Sequence, residues 1–65
     1  MIKLYSTGCP KCKILEKKLN IKKIEFNLIT DPNEIVKLGY NFAPLLEVDG
    51  KIMNFKEAID WTNAQ

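Results

Sequence analysis

Ile2-Lys3-Leu4-Tyr5-Ser6-Thr7-Gly8-Cys9-Pro10-Lys11-Cys12-Lys13-Ile14-Leu15 changes its hydrophobic period half-way along. Ile2 to Tyr5 alternate apolar and polar with types that favour extended backbone, and Ser6-Thr7-Gly8 then breaks the pattern. From Pro10 onward Ile14, Leu15 and Leu19 recur at helical spacing among lysines and Glu16, with Asn20 as a stop. The reading is a strand, a loop and a helix of about ten residues, with two cysteines where strand gives way to helix.

The remainder follows the same grammar. Ile24-Glu25-Phe26-Asn27-Leu28-Ile29 alternates, so Ile24, Phe26 and Leu28 are expected on one face of a second strand. Asp31, Pro32 and Glu34 have the form of an N-cap, a proline at the first helical position and a capping-box acid, which predicts a short helix to Leu38, stopped by Gly39. Tyr40-Asn41-Phe42-Ala43 leads to Pro44, which is tolerated at the start of a strand over Leu45–Val48. Asp49-Gly50 is a hairpin signal returning the chain through Lys51–Met53. Asn54 with Glu57 repeats the capping-box form, and Phe55, Ala58, Ile59 and Thr62 keep helical spacing in a last helix. The predicted order is βαβαββα, an α/β single domain with a four-stranded mixed sheet flanked by three helices. Its first two strands are parallel through a right-handed crossover, and the terminal hairpin adds antiparallel strands.

Composition narrows the function classes. At 65 residues only one core can be enclosed. The balance of 46% hydrophobic and 28% charged residues is that of a folded domain rather than a disordered tail. No apolar run approaches the roughly 18 residues that span a bilayer, and Met1-Ile2-Lys3-Leu4-Tyr5 has no charged leader followed by an apolar stretch, so the expected location is cytoplasmic, with no membrane partner. Six of the ten basic residues fall between Lys11 and Lys23. Such a cluster suits an acidic partner or an anionic substrate, and equally a solvated helix face. Nucleic acid is not an expected partner, because the lysines lack interleaved aromatics and the chain has no arginine. With no heptad pattern and no long apolar edge, a monomer is expected.

Cys9 and Cys12 are the only cysteines. A bridge between them closes almost nothing, worth only roughly 2 kcal/mol by chain entropy, so reversible chemistry is the better reason for the pair. At the N-cap of a helix, Cys9 would face free backbone N–H groups and the positive end of the helix dipole, which favour thiolate over thiol. Lys11 and Lys13 would add positive potential if their ammonium groups lie close. Cys12, one turn on and facing the body of the protein, would wait as thiol. The spacing therefore makes Cys9 the nucleophile and Cys12 the resolving thiol of a disulfide exchange, with Pro10 filling the helical position that needs no N–H. No histidine or second cysteine pair is present to close a zinc site. A copper carrier is the alternative, since small βαββαβ domains hold two cysteines in their first loop. The methionine usual two residues before their first cysteine is Thr7 here.

Tyr5-Ser6-Thr7-Gly8-Cys9-Pro10-Lys11-Cys12 after the first strand, Ala43-Pro44 before the third, and the Asp49-Gly50 hairpin with its closing helix resemble the thioredoxin superfamily. Within it, the chain looks like the small glutaredoxin-like redoxins over essentially its whole length. The resemblance implies a minimal thioredoxin fold and a disulfide oxidoreductase acting as an electron carrier, with catalytic Cys9 and Cys12 supported by Pro10, Lys11, Ala43 and Pro44. It also implies a cis Ala43–Pro44 bond and an Ala43 backbone that pairs with an extended substrate segment. No cofactor or metal is expected. The expected partners are a disulfide-containing protein substrate and a flavoprotein disulfide reductase as electron source. Glutathione fits less well: Lys11 stands where glutaredoxins commonly have tyrosine, and Met53-Asn54-Phe55-Lys56-Glu57 lacks the paired glycine and acid that hold the glutathione carboxylate. The thioredoxin pattern departs too, since no tryptophan precedes Cys9; Trp61 is expected to pack in the last helix.

Overall fold

Ile2–Tyr5 (β1), with Leu4 and Tyr5 buried on opposite faces, lies inside the sheet in a computed structural model that describes residues 1–65. β1 pairs in parallel with β2 (Asn27–Ile29) and antiparallel with β3 (Leu45–Val48), which pairs antiparallel with β4 (Lys51–Met53). The strand order is β2-β1-β3-β4. Helices α1 (Pro10–Ile21), α2 (Pro32–Lys37) and α3 (Phe55–Asn63) alternate with the strands as the sequence predicts.

The period of two in the central strands divides the core between the sheet faces. Leu4, Leu46 and Met53 lie on one face beneath Leu15 and Leu19 of α1 and Ala58 of α3. Tyr5 and Leu45 lie on the other against Ile35 of α2. Trp61 packs at the margin of the first cluster, as expected from its place in α3. The buried Thr62 hydroxyl donates to the Ala58 carbonyl at 2.7 Å, and no buried side-chain polar atom lacks a partner.

Four local expectations are corrected. α1 does not stop at Asn20 but runs to Ile21. Lys23 then takes the left-handed conformation (φ 57°), while its N–H bonds to the Asn20 carbonyl and that of Ile24 to the Leu19 carbonyl. This is the usual helix stop made without glycine; the left-handed lysine costs about 1 kcal/mol, offset by the contact between Ile24 and the cluster that holds Leu19. Because that turn takes up the chain, Ile24 and Phe26 reach the core outside the ladder, and β2 begins only at Asn27. Leu28, expected on one face with Ile24 and Phe26, stays 47% exposed on the edge strand. Ile14, which shares the helical apolar spacing of Leu15 and Leu19, is 48% exposed; Cys12 joins Leu15 and Leu19 on the inward stripe instead. At α2, Asp31 caps through the Asn33 N–H at 2.9 Å, but Glu34 completes no capping box and pairs with Lys37 at 3.0 Å. The box at α3 is complete, with Asn54 and Glu57 each accepting from the other's N–H.

The Tyr5 hydroxyl donates to Glu47 Oε1 at 3.1 Å. Burial, that bond and the negative charges of Glu47 and Glu34 push the phenol above its ordinary value. A raised folded value means the contribution of the neutral phenol is complete below the unfolded value near 10 and is lost as pH rises through the folded one. The urea midpoint is expected to fall between about pH 9 and about pH 11, and to fall less in Tyr5→Phe. Equal falls in both proteins would remove Tyr5 from the account.

Candidate active site

The site begins where β1 runs out. The Ser6 N–H still bonds to the Ile29 carbonyl of β2 at 2.9 Å, and Gly8 (φ 80°) turns the chain toward α1 with its N–H on Ser6 Oγ at 3.1 Å. A side chain at residue 8 would be strained in that conformation. Cys9 is the N-cap of α1, with extended backbone (φ −69°, ψ 163°). Its Sγ accepts the Cys12 N–H at 3.2 Å, the place a serine or aspartate oxygen takes in other helices. Pro10 follows without an N–H, and the Lys13 N–H closes the first turn on the Cys9 carbonyl at 3.0 Å.

The two sulfurs differ in access. Cys12 is wholly buried on the inward stripe of α1, whereas Cys9 is half-buried at the open end of the helix. Burial pushes the Cys12 thiol up. The Cys9 thiol, the Thr7 backbone, the Ser6 hydroxyl and the Cys9 backbone beside it favour its charged form, outweigh that cost and hold it below the ordinary cysteine value. Burial alone would keep Cys12 a waiting thiol; the Ser6-Thr7 loop beside it favours its charged form. Ser6 and Thr7 are thus members of the site that sequence reading missed. The one signal was a hydroxyl residue two positions before the glycine of a turn.

Ala43 and Pro44 arrive from the other side of the sheet. Their peptide bond is cis, Pro44 is buried, and the Ala43 carbonyl oxygen lies 4.0 Å from Cys9 Sγ. Cys9, Cys12, Pro10, Ala43 and Pro44 are therefore gathered in one place. Lys11 is not: its ammonium lies over the Phe55 ring of α3, 5.6 Å from the centroid, and Lys13 makes no hydrogen bond to either sulfur. Beside Thr7 and Ala43 a shallow cleft of about 400 Å³ opens between α2 and the loop before β3, with Val36 and the half-exposed Phe42 on its walls. A larger recess of about 700 Å³ lies at the far end of β1, lined by Met1, Asn20, Lys23 and Phe26, away from the cysteines.

No family model matches the chain. It is 35% identical over 57 residues to a thioredoxin from Methanothermobacter thermautotrophicus, across 78% of this chain and 74% of that protein. The chain belongs to the thioredoxin superfamily. As a thioredoxin-superfamily redoxin it also shares its fold with a Nu-class GST from Haemonchus contortus, at a TM-score of 0.76 and 18% identity. That likeness covers 97% of this chain and 34% of the GST, and it concerns the fold alone. The redoxin has a thiol redox function in the general sense of its family. Copper transfer is not favoured, because the observed βαβαββα order ends in a helix where the carriers with two cysteines in their first loop have βαββαβ. None of the redoxin's helices is long and apolar enough to cross a membrane.

Proposed function

We propose that the chain is a thiol–disulfide oxidoreductase, a dithiol electron donor that reduces protein disulfides through Cys9 and Cys12. The observation that carries this reading is the unequal access of two sulfurs in the same helical turn, one half-buried at the N-cap and one wholly buried beneath it. Cys9, as thiolate, attacks one sulfur of a substrate disulfide. The substrate S–S bond breaks, its second sulfur leaves as thiolate and takes up a proton, and a mixed disulfide to Cys9 remains. Cys12 gives up its proton and attacks Cys9 Sγ, forming the Cys9–Cys12 bond while the first substrate sulfur departs and is protonated. The substrate gains two electrons and two protons, and the redoxin ends oxidised. Ala43, beside the attacking sulfur, offers its backbone to an extended substrate segment.

Reduction of the Cys9–Cys12 bond is assigned to a flavoprotein disulfide reductase. The alternative electron source, glutathione, would need N–H groups free to hold its carboxylate after β4. There the Asn54 N–H is taken by the Glu57 carboxylate at 3.1 Å, and the Glu57 N–H by Asn54 Oδ1 at 2.9 Å. The capping box takes these two donors and sets the Glu57 carboxylate beside the remaining first-turn N–H groups of α3, where it repels a ligand carboxylate.

Equilibration in defined dithiol buffers, read by mass spectrometry of alkylated thiols, is expected to show one reversible two-electron transition between about −300 and about −180 mV. A pair that does not cycle would end the oxidoreductase reading.

A further inference from the structure

The charge of this chain is not spread evenly. Between Pro10 and Lys23 stand six lysines against Glu16 alone, while the other residues carry four lysines against seven acids, so a segment of net +5 faces a remainder of net −3. The inward stripe of α1 is Cys12, Leu15 and Leu19. Its opposite face therefore presents Lys13, Ile14, Lys17 and Ile21, all exposed, with Lys18 at the margin. Neither of the two ion pairs, the Met1 amine with Asp49 and Lys37 with Glu34, involves α1. The positive face is unneutralised, and it runs from the helix end that holds Cys9.

We propose that this outer face of α1 is the docking surface for an acidic protein partner, and that it selects which disulfides reach Cys9. The proposal rests on the thiol exchange reading above and adds the substrate class to it. Three features argue for a protein of opposite charge. Lys13, Lys17 and Lys18 have no hydrogen-bond or ion-pair partner within the chain, whereas Lys11 lies over Phe55 and Lys22 donates to the Gln65 carbonyl. Ile14 and Ile21, two turns apart, leave apolar contacts between them for a complementary surface. A partner laid along the roughly 18 Å of α1 reaches the N-cap sulfur without leaving the surface. An anionic lipid surface is the weaker occupant, because two isoleucines over three turns offer little area to insert.

The probe is a set of peptides with one intramolecular disulfide, flanked by arms of about five glutamates or five lysines, each arm spanning roughly 16 Å. With the reduced full chain at about 20 mM ionic strength, the glutamate peptide is expected to oxidise the thiols at least about tenfold faster than the lysine peptide, and the gap to collapse at about 0.5 M salt. A chain carrying Lys13→Gln, Lys17→Gln and Lys18→Gln should lose the preference yet keep its rate with hydroxyethyl disulfide, which has no charge. Equal rates for the two peptides, or a preference that survives in the lysine variant, would overturn the docking surface. Failure with hydroxyethyl disulfide as well would strike the exchange reading instead. Docking is then read apart from chemistry by titrating the isotope-labelled chain with the glutamate peptide made without cysteines: amide shifts along α1 support the surface, and shifts elsewhere or none refute it. Co-sedimentation with phosphatidylglycerol vesicles without discrimination between the peptides would assign the face to lipid and overturn the proposal.

Discussion

Cys12→Ser will stop the reaction at a stable mixed disulfide between Cys9 and its substrate. The first displacement needs only the half-buried sulfur at the N-cap, and that sulfur keeps the Cys12-position backbone N–H at 3.2 Å because serine preserves the helix. The second displacement needs a thiolate beside the new bond, and a serine hydroxyl is not one at neutral pH. Non-reducing electrophoresis or intact-mass spectrometry of the variant with a protein disulfide should show the covalent adduct, which dithiothreitol releases. Cys9→Ser behaves differently. It leaves only Cys12, wholly buried and out of reach of a folded substrate, so disulfide reduction should fall by at least about a thousandfold, the scale on which loss of a nucleophile is felt. Reduction persisting in Cys9→Ser, or an adduct in Cys9→Ser and none in Cys12→Ser, would reverse the roles of the two cysteines.

Leu46→Ala is expected to bring the domain to the edge of unfolding. Leu46 is fully buried on central strand β3, opposite Leu4 of β1 and Met53 of β4, and inside the cluster shared with α1 and α3. Truncating a leucine in such a place costs about 2–5 kcal/mol, since the cavity it leaves closes only in part. A chain of this length has roughly 3–10 kcal/mol in all. Urea unfolding followed by far-ultraviolet circular dichroism should show a midpoint lowered by about half or more, or no cooperative transition. Ile14→Ala serves as the control, because its half-exposed side chain on the outer face of α1 should change stability by only about 0.5 kcal/mol. Similar losses from the two substitutions would mean that Ile14 belongs to the core and that the face of α1 is misassigned.

Ile14 also shows where pattern reading stops. The spacing of Ile14, Leu15 and Leu19 announces a helix with an apolar stripe, and a helix forms. Periodicity does not say where the centre of that stripe lies, because Cys12 is as apolar as its neighbours and completes the stripe from the other side. β2 teaches the same lesson. Alternation over Ile24–Ile29 was legible, but the left-handed turn at Lys23 uses the first three residues to return from α1, and only Asn27–Ile29 join the ladder. The second helix ended where Gly39 promised, with φ 85°, whereas the first ended at a lysine that carries no such signal.

The sequence by itself determined the order of elements, the Asp49-Gly50 hairpin, the capping box at Asn54 and the place of Cys9 at a strand-to-helix junction. These are local properties: each depends on the period, turn chemistry and caps of a few adjoining residues. Tertiary structure alone decided that the Ala43 carbonyl lies 4.0 Å from Cys9 Sγ across 34 residues of chain, that Ser6 and Thr7 favour the charged form of Cys12, and that the Lys11 ammonium lies over Phe55 rather than beside the sulfurs. The physical reason is that such approaches are set by how strands pair and helices seat on the sheet, and no short run of residues carries that information.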